Sequence, residues 1–465
     1  MDTRAAQGSF GQTHFGNLAL GDRRRTALMV RLADLVMQHP QGTWPTKLSE
    51  PSDLEAFYRL MNRPEATHAA VLAPHYERTL AAMRQQTGVV LTLHDTTELD
   101  YSGLASIPLA PIGNGHGKGY LCHNSLAVTE GGEVLGLVNQ ILFSRPRVPK
   151  AEKKRASAQR PDRESRLWKR GSQAVPAAPA GKWWVDVADR GADLTEFLAY
   201  EIDHHKHFVV RSKANRKVVW DAEKPGPAKL HDVVRQLPEQ GRRPLFVPPS
   251  QGRPGRDTEV AIAFTKLRIV PPRQARGEHG REPLLVWAVR VWEPNPPLGA
   301  EAVEWILLTN VPVNNVDDAW QRVDWYKRRW ILEEYHKTLK SGCSIEEMQF
   351  TTAAALQPAI ALVSVVALGL MWLRQVSRTP AAHTRPASEW FPRLMIRTLS
   401  RWRFQKPRDD LTAYEFCFAL ARLGGHQNRT RDHPPGLLVL WRGWTKLQLM
   451  TEGASAVQRN RCGET

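Results

Sequence analysis

Strand-length apolar runs constrain this chain most. Val89-Val90-Leu91-Thr92-Leu93 is too short for a core helix and too apolar for a surface loop, so Thr87 to Asp95 reads as a buried strand ending in His94-Asp95-Thr96-Thr97. Leu121 to Thr129 and Val134 to Phe143 follow as two further strands, with Glu130-Gly131-Gly132 as the turn between them. Trp183 to Asp189 is another, leading through Arg190-Gly191-Ala192 into a helix for which Asp193 and Glu196 supply a capping pattern. Phe208-Val209-Val210 then delivers Arg211, Lys213, Arg216 and Lys217 into the next segment. Such an order builds an α/β sheet with carboxylates at strand ends, where the strand fixes the residue while its head reaches the sheet edge. Asp95 and Asp189 hold such positions, while Asp186 lies inside its strand; Asp95 before Thr-Thr suits a turn cap equally well.

The remaining segments differ in character. Arg145 to Lys182 is basic and rich in Pro and Ala, a surface loop with one helix around Glu164 to Trp168. From about Val218 to Ala300 Pro, Gly and charge dominate, interrupted by strand runs at Val260–Val270 and Leu284–Trp292; alternation of Trp287, Val289 and Val291 predicts a small half-buried sheet. Trp305 to Thr309 returns to strand, and Asp317-Asp318 opens a helix. The N-terminal flank is helical: Arg23-Arg24-Arg25 precede Leu28, Leu32, Leu35 and Val36 at helical spacing, and Ser52 with Glu55 forms a capping-box pattern after Pro51. Beyond Phe350 the chain is helical again.

Charge narrows the partners. With 64 Lys and Arg against 47 Asp and Glu, the net charge is +17 and the pI about 9.9, which favours nucleic acid. No signal-peptide pattern opens the sequence, and the apolar run Pro358 to Leu373, short for a bilayer span and carrying Ser364 and Gly369, reads as a buried helix rather than a membrane anchor. Cys122, Cys343, Cys417 and Cys462 lie far apart with no CxxC pair, which argues against a zinc site or disulfide framework and suits a reducing cytoplasm. His204-His205 lacks a partner at metal-ligand spacing and reads as surface.

The stretch Trp325 to Lys340 carries the densest chemistry. Taken as one amphipathic helix, it places Tyr326, Arg329, Trp330, Glu333, Lys337 and Lys340 within an arc of roughly 100°, with Ile331, Leu332, Tyr335 and Leu339 opposite. A carboxylate among cations and aromatics suits a metal ion with phosphates around it; an ordinary i,i+4 ion pair between Glu333 and Lys337 would explain part of the same pattern.

Tyr326, Arg329, Glu333 and Lys340 stand at the spacing Y-x2-R-x3-E-x6-K, which resembles the signature helix of the IS-four family of bacterial DDE transposases. The strand followed by Asp95-Thr96-Thr97, the pattern Asp189-Arg190-x-x-Asp193, and the segment Phe208 to Lys217 resemble other motifs of that family, and GDRRRT with AFYRLMNR is similar to its N-terminal helical domain. The resemblance implies a ribonuclease-H-like catalytic core at about 71–352 with a β-rich insertion at about 218–300, between a helical DNA-end-binding domain at 1–70 and a helical dimerisation region at 353–465. It implies that Asp95, Asp189 and Glu333 bind two Mg²⁺ or Mn²⁺ ions per active site. It assigns DNA contacts to Arg23, Arg24, Arg25, Arg211, Lys213, Arg216, Trp305, Tyr326, Arg329, Trp330, Lys337 and Lys340. The implied partners are double-stranded DNA with terminal inverted repeats, target DNA and a second copy of the chain, in a bacterial, nucleoid-associated setting. A catalytically silent DNA-binding relative and a nuclease without strand transfer remain alternatives.

Overall fold

The computed structural model describes residues 9–113, 115–146, 160–220, 228–247, 255–272, 282–427, 429 and 435–462. Helices α1 (Phe10–Phe15), α2 (Arg23–Gln38), α3 (Trp44–Lys47), α4 (Pro51–Met61) and α5 (His68–Gln85) precede strands β1 (Val90–Asp100), β2 (Ala110–Ile112), β3 (Gly117–Thr129) and β4 (Val134–Phe143). Then come α6 (Leu167–Ala174), β5 (Trp184–Ala188), α7 (Thr195–Asp203), β6 (His207–Arg211), β7 (Lys217–Val219), β8 (Ala228–Lys229) and α8 (Leu230–Gln236). Strands β9 (Gly241–Val247), β10 (Arg256–Ile269), β11 (Leu284–Trp292) and β12 (Glu304–Thr309) lead to α9 (Val316–Lys327), α10 (Trp330–Lys337), α11 (Ala353–Arg378), α12 (Arg393–Phe404), α13 (Ala413–Leu423) and α14 (Leu437–Cys462). Contacts divide the chain into two compact units, one of residues 1–79, 99–119 and 334–465, the other of residues 80–98 and 120–333.

The second unit is a mixed α/β layer structure. Its sheet follows the order β3-β1-β5-β6-β12-β11-β10-β7-β8, with β4 on the outer edge of β3 and β9 on β10. β1 and β5 run parallel, Val90 opposite Trp184 through His94 opposite Ala188, and β5 and β6 run parallel from Val185 opposite His207 to Ala188 opposite Val210. From β6 onward the pairing is antiparallel, β12 with β6, β11 with β12 and β10 with β11. Because strand side chains alternate, Ala188, Phe208 and Val210 share one face with Asp186, and there they pack with Phe197, Leu198, Leu230, Val233 and Val234 of α7 and α8 in an apolar core. Leu91, Leu93, Val185, Val187 and Val209 are equally buried on the opposite face, along which α9 packs. Gly132 holds φ +93° in the β3–β4 turn, a backbone region that favours glycine.

The first unit is centred on α11, whose side chains are buried among α2, α4, α13 and α14 of the same unit. α11 is long and apolar enough to cross a membrane, and 83% of its most apolar window is buried inside the protein, as expected of a core helix.

Five local expectations are corrected. The strand expected to end at Asp95 runs on to Asp100, so Asp95 lies inside β1, and only Asp189 follows the end of its strand. Trp325 to Lys340 is not one helix: α9 ends at Lys327, α10 begins at Trp330, and Thr338–Gly342 forms a π turn. The amides of Arg328, Arg329, Ile331 and Leu332 each bond to a carbonyl three residues back, so the joint is wound more tightly than an α-helix and the two faces fall out of phase. Ser52 forms no capping box, because Pro51, whose missing N–H costs nothing in the first turn, already opens α4 after Glu50. Asp193 does not cap α7, whose cap position is Leu194; its carboxylate is committed elsewhere. The insertion strands β10 and β11 form no separate sheet, since β12 presents a free edge after pairing with β6 and they extend the main sheet through it.

Candidate active site

Asp95 and Asp189 lie one residue beyond the His94–Ala188 pair, on neighbouring parallel strands. Buried Leu91, Leu93, Val185 and Val187 fix that register, because a slip of one residue would turn each side chain to the other face. The Thr96 amide donates to Asp95 Oδ1 at 2.8 Å, and the Gly191 amide donates to Asp189 Oδ1 at 2.7 Å, so that Asp189 caps the short 3₁₀ turn Arg190–Ala192. Glu333 enters from α10. Arg329 joins it to Asp95, with Nη2 2.6 Å from Glu333 Oε1 and Nη1 3.3 Å from Asp95 Oδ2. Burial first, and then the negative charge of Asp189, push the Asp95 carboxyl up to about 6, against the pull of the Thr96 amide and Arg329; Glu333 adds to the push.

Three hard oxygen donors drawn from three elements have the chemistry of a divalent-cation site. As the side chains stand, no three His, Cys, Asp or Glu among the described residues are grouped closely enough to hold an ion. Instead one guanidinium holds two of the three carboxylates.

Aromatic residues surround that guanidinium. Its carbon lies 5.9 Å from the Tyr326 ring centre and 5.6 Å from that of Trp330. Tyr326, expected on the open face, is only 6% exposed and packs edge-on against Trp305 at 5.8 Å. The tight joint at 328–329 accounts for this, because it separates the side toward which α9 turns Tyr326 from the side on which α10 carries Glu333. Trp330 is 56% exposed, an unusual state for an indole beside charged groups.

The basic residues after β6 divide. Lys213 is exposed, whereas Arg211 is half-buried and donates from Nη2 to the Glu304 carbonyl at 2.9 Å. Arg216 turns inward: its Nε and Nη2 reach Asp193 Oδ1 at 3.1 and 2.8 Å, and its Nη1 reaches Thr195. Asp193 Oδ2 also accepts the amides of Lys213 and Ala214, at 2.7 and 2.9 Å, so this pair fixes the loop that presents Lys213. Lys337 and Lys340 belong to the other unit, where Lys337 is exposed and Lys340 pairs with Glu346 at 3.0 Å. In that unit Asp22 caps α2; Arg23 and Arg24 are exposed, while Arg25 folds back onto the Leu20 carbonyl and Glu65.

Beneath the two aspartates lies a charged layer that reading the sequence for site residues missed. Lys206 Nζ is 3.4 Å from Asp186 Oδ2 and donates to the Ser172 carbonyl, the Ser172 hydroxyl and the Val175 carbonyl, at 2.6, 2.7 and 3.2 Å. His94 Nε2 approaches Asp186 Oδ1 to 3.4 Å from the next strand, and its Nδ1 lies 3.0 Å from Ser125 Oγ. Burial, and then the charge of Asp186, raise the Glu201 carboxyl well above its ordinary value, while Asp186 faces Lys206. Gly171 lets α6 approach the histidines, since a Cβ there would stand 2.4 Å from His123 Nε2 and 3.1 Å from His94 Nδ1. The one sequence signal for this layer is Asp186 itself, a charge within an apolar run.

Residues 7–66, a span that contains α1 to α4, match the family described as transposase DNA-binding. That match supports a transposase, a DNA-processing enzyme with DNA as its partner.

Proposed function

We propose that the chain is a metal-dependent DDE transposase of the IS-four type that performs cut-and-paste transposition. The observation that carries this reading is that Asp95, within β1, and Asp189, just past the end of β5, each follow the last registered pair of two adjacent parallel strands, with Glu333 linked to Asp95 through Arg329. The strand order β4-β3-β1-β5-β6, with β1, β5 and β6 parallel, supports a ribonuclease-H-like core. Asp95, Asp189 and Glu333 would hold two divalent ions, which when bound activate water or a 3′ hydroxyl and stabilise the leaving oxygen of an in-line phosphoryl displacement. Around them the chain's own groups position DNA: exposed Lys213 offers charge to phosphate, Arg211 backs the Tyr326–Trp305 pair, and the open indole of Trp330 offers a stacking surface to an unpaired base. Arg23 and Arg24, at the start of α2, supply exposed charge within the segment that matches the DNA-binding family. Hairpin formation and opening, strand transfer into target DNA and pairing of two protomers complete the proposal.

The test uses the full chain and duplexes bearing the inverted repeats that flank its coding sequence. Wild type nicks such ends in Mg²⁺, while Asp95→Ala, Asp189→Ala and Glu333→Ala bind them and leave them intact. Near-wild-type nicking by any one variant removes that residue from the triad. Loss of binding along with nicking in all three would replace the metal role with a structural one.

A further inference from the structure

We propose that Arg329 is an exchangeable cation: it holds Asp95 and Glu333 together while the site carries no metal, and it passes to a DNA phosphate as metal and DNA arrive. The proposal rests on the metal-dependent reading above and adds a coupling between two ligands of the site.

Three observations carry it. Arg329 lies 2.6 Å from Glu333 Oε1 and 3.3 Å from Asp95 Oδ2, and so engages an oxygen of each carboxylate that a divalent ion would need. A Mg²⁺ ion takes such oxygens at about 2.0–2.1 Å. Guanidinium and metal therefore compete for the same two groups. Second, Arg329 Nε is buried with no acceptor, so the carboxylate-bound state leaves one donor unsatisfied. A phosphate can take Nε and Nη together in the two-pronged geometry that arginine favours, which makes transfer to DNA chemically matched. Third, the guanidinium stands beside Trp330, whose exposed ring gives it a route to solvent along an attractive face.

Coupling of this kind is reciprocal: metal should tighten DNA binding by the factor by which DNA tightens metal binding. A lysine at 329 would keep the charge but not the fork that spans two carboxylates.

The experiment measures Mn²⁺ binding to the full-length protein without DNA, by the electron paramagnetic resonance signal of free Mn²⁺, for wild type, Arg329→Gln, Arg329→Lys and Asp95→Ala. Thermal melts accompany each, so that the two Arg329 variants serve as independent folded replacements. Duplex affinity is then followed by fluorescence anisotropy across a Mn²⁺ series. The expected result is that both Arg329 variants bind Mn²⁺ about tenfold more tightly than wild type, a coupling of about 1.4 kcal/mol, and lose the Mn²⁺-dependent gain in DNA affinity that wild type shows. Equal or weaker Mn²⁺ binding by the folded Arg329 variants, with wild-type binding still abolished by Asp95→Ala, overturns the exchange and leaves the metal site standing. Mn²⁺ binding that is absent from every protein, or indifferent to Asp95→Ala, overturns the metal reading and the exchange with it.

Discussion

Asp95 and Asp189 occupy the first positions beyond the last registered pair of β1 and β5, so their separation is set by strand pairing rather than by a loop. Everything that holds those two strands in register therefore acts on the candidate site. The charged layer on the other face of the sheet, where His94 of β1 meets Asp186 of β5, is part of that hold.

Lys206→Met should destabilise the second unit by about 3–5 kcal/mol, because it leaves the buried carboxylate of Asp186 without its cation. Replacing both partners, as Lys206→Met with Asp186→Leu, should recover much of the loss. Urea unfolding of the three variants checks this; a double variant as unstable as the sum of its singles would show that the two groups do not act as a pair.

Trp330→Ala and Trp305→Ala should separate chemistry from packing. Trp330 is open, so its loss should leave the melting temperature unchanged, permit the first nick and slow hairpin formation, by about tenfold per 1.4 kcal/mol of stacking lost. Trp305 supports Tyr326, so its loss should slow the same step and also lower stability. Nicked, hairpin and blunt products on one labelled end give the readout. Equal slowing of nicking and hairpinning in both variants would make the two indoles structural.

Arg24→Ala should weaken end binding and flatten its salt dependence, since Arg24 is 94% exposed, whereas Arg25→Ala should act mainly on stability through Glu65 and the Leu20 carbonyl. Filter binding at several salt concentrations, beside thermal melts, distinguishes the two. Deleting residues 1–63 is a poor substitute for these variants, because it strips α2 and α4 from α11 and should yield aggregated protein.

Acid should weaken the β10–β11 region in a defined window. The Arg256 guanidinium, joined by the Thr258 hydroxyl and the Val303 amide, holds the Glu293 carboxyl down at about 2 from its ordinary 4.5. A depressed carboxylate contributes stability that is fully present above pH 4.5 and is lost as pH falls toward 2. Glu293→Gln should lower the urea midpoint at pH 7 and flatten its fall between pH 4.5 and 2. An unchanged slope would show that Glu293 is not the group responsible.

Much of the sheet was legible because its strands are short, apolar and bounded by turn residues; β3, β4, β5, β6 and β11 lie close to where period and punctuation place them. The position of Asp189 just past β5 was legible for the same reason, whereas Asp95 ends an apolar run but not its strand, which continues as alternating polar residues to Asp100. What escaped depends on distance along the chain. Asp193 looks like a helix cap locally, and only the arrival of Arg216 and the loop at 213–214 makes it an anchor. The layer of Asp186, Lys206, Glu201 and His94 draws on two strands, one helix and the turn before β6, whose meeting no local pattern encodes. The insertion strands alternate like those of an independent sheet, and joining the free edge of β12 is a choice made in three dimensions.

The tight joint at Arg328 and Arg329 changes what their spacing means. Tyr326 and Glu333, seven positions apart, would lie nearly in line on an unbroken helix, yet here a phase slip between them sends one beneath a tryptophan and the other to the carboxylates. Their separation therefore behaves like a gear ratio, in which inserting or deleting one residue at the joint would retime the acidic side relative to the aromatic side. Well-meant helix stabilisation at 328–329 would do the same, so the least regular turn in this stretch is the one least open to improvement.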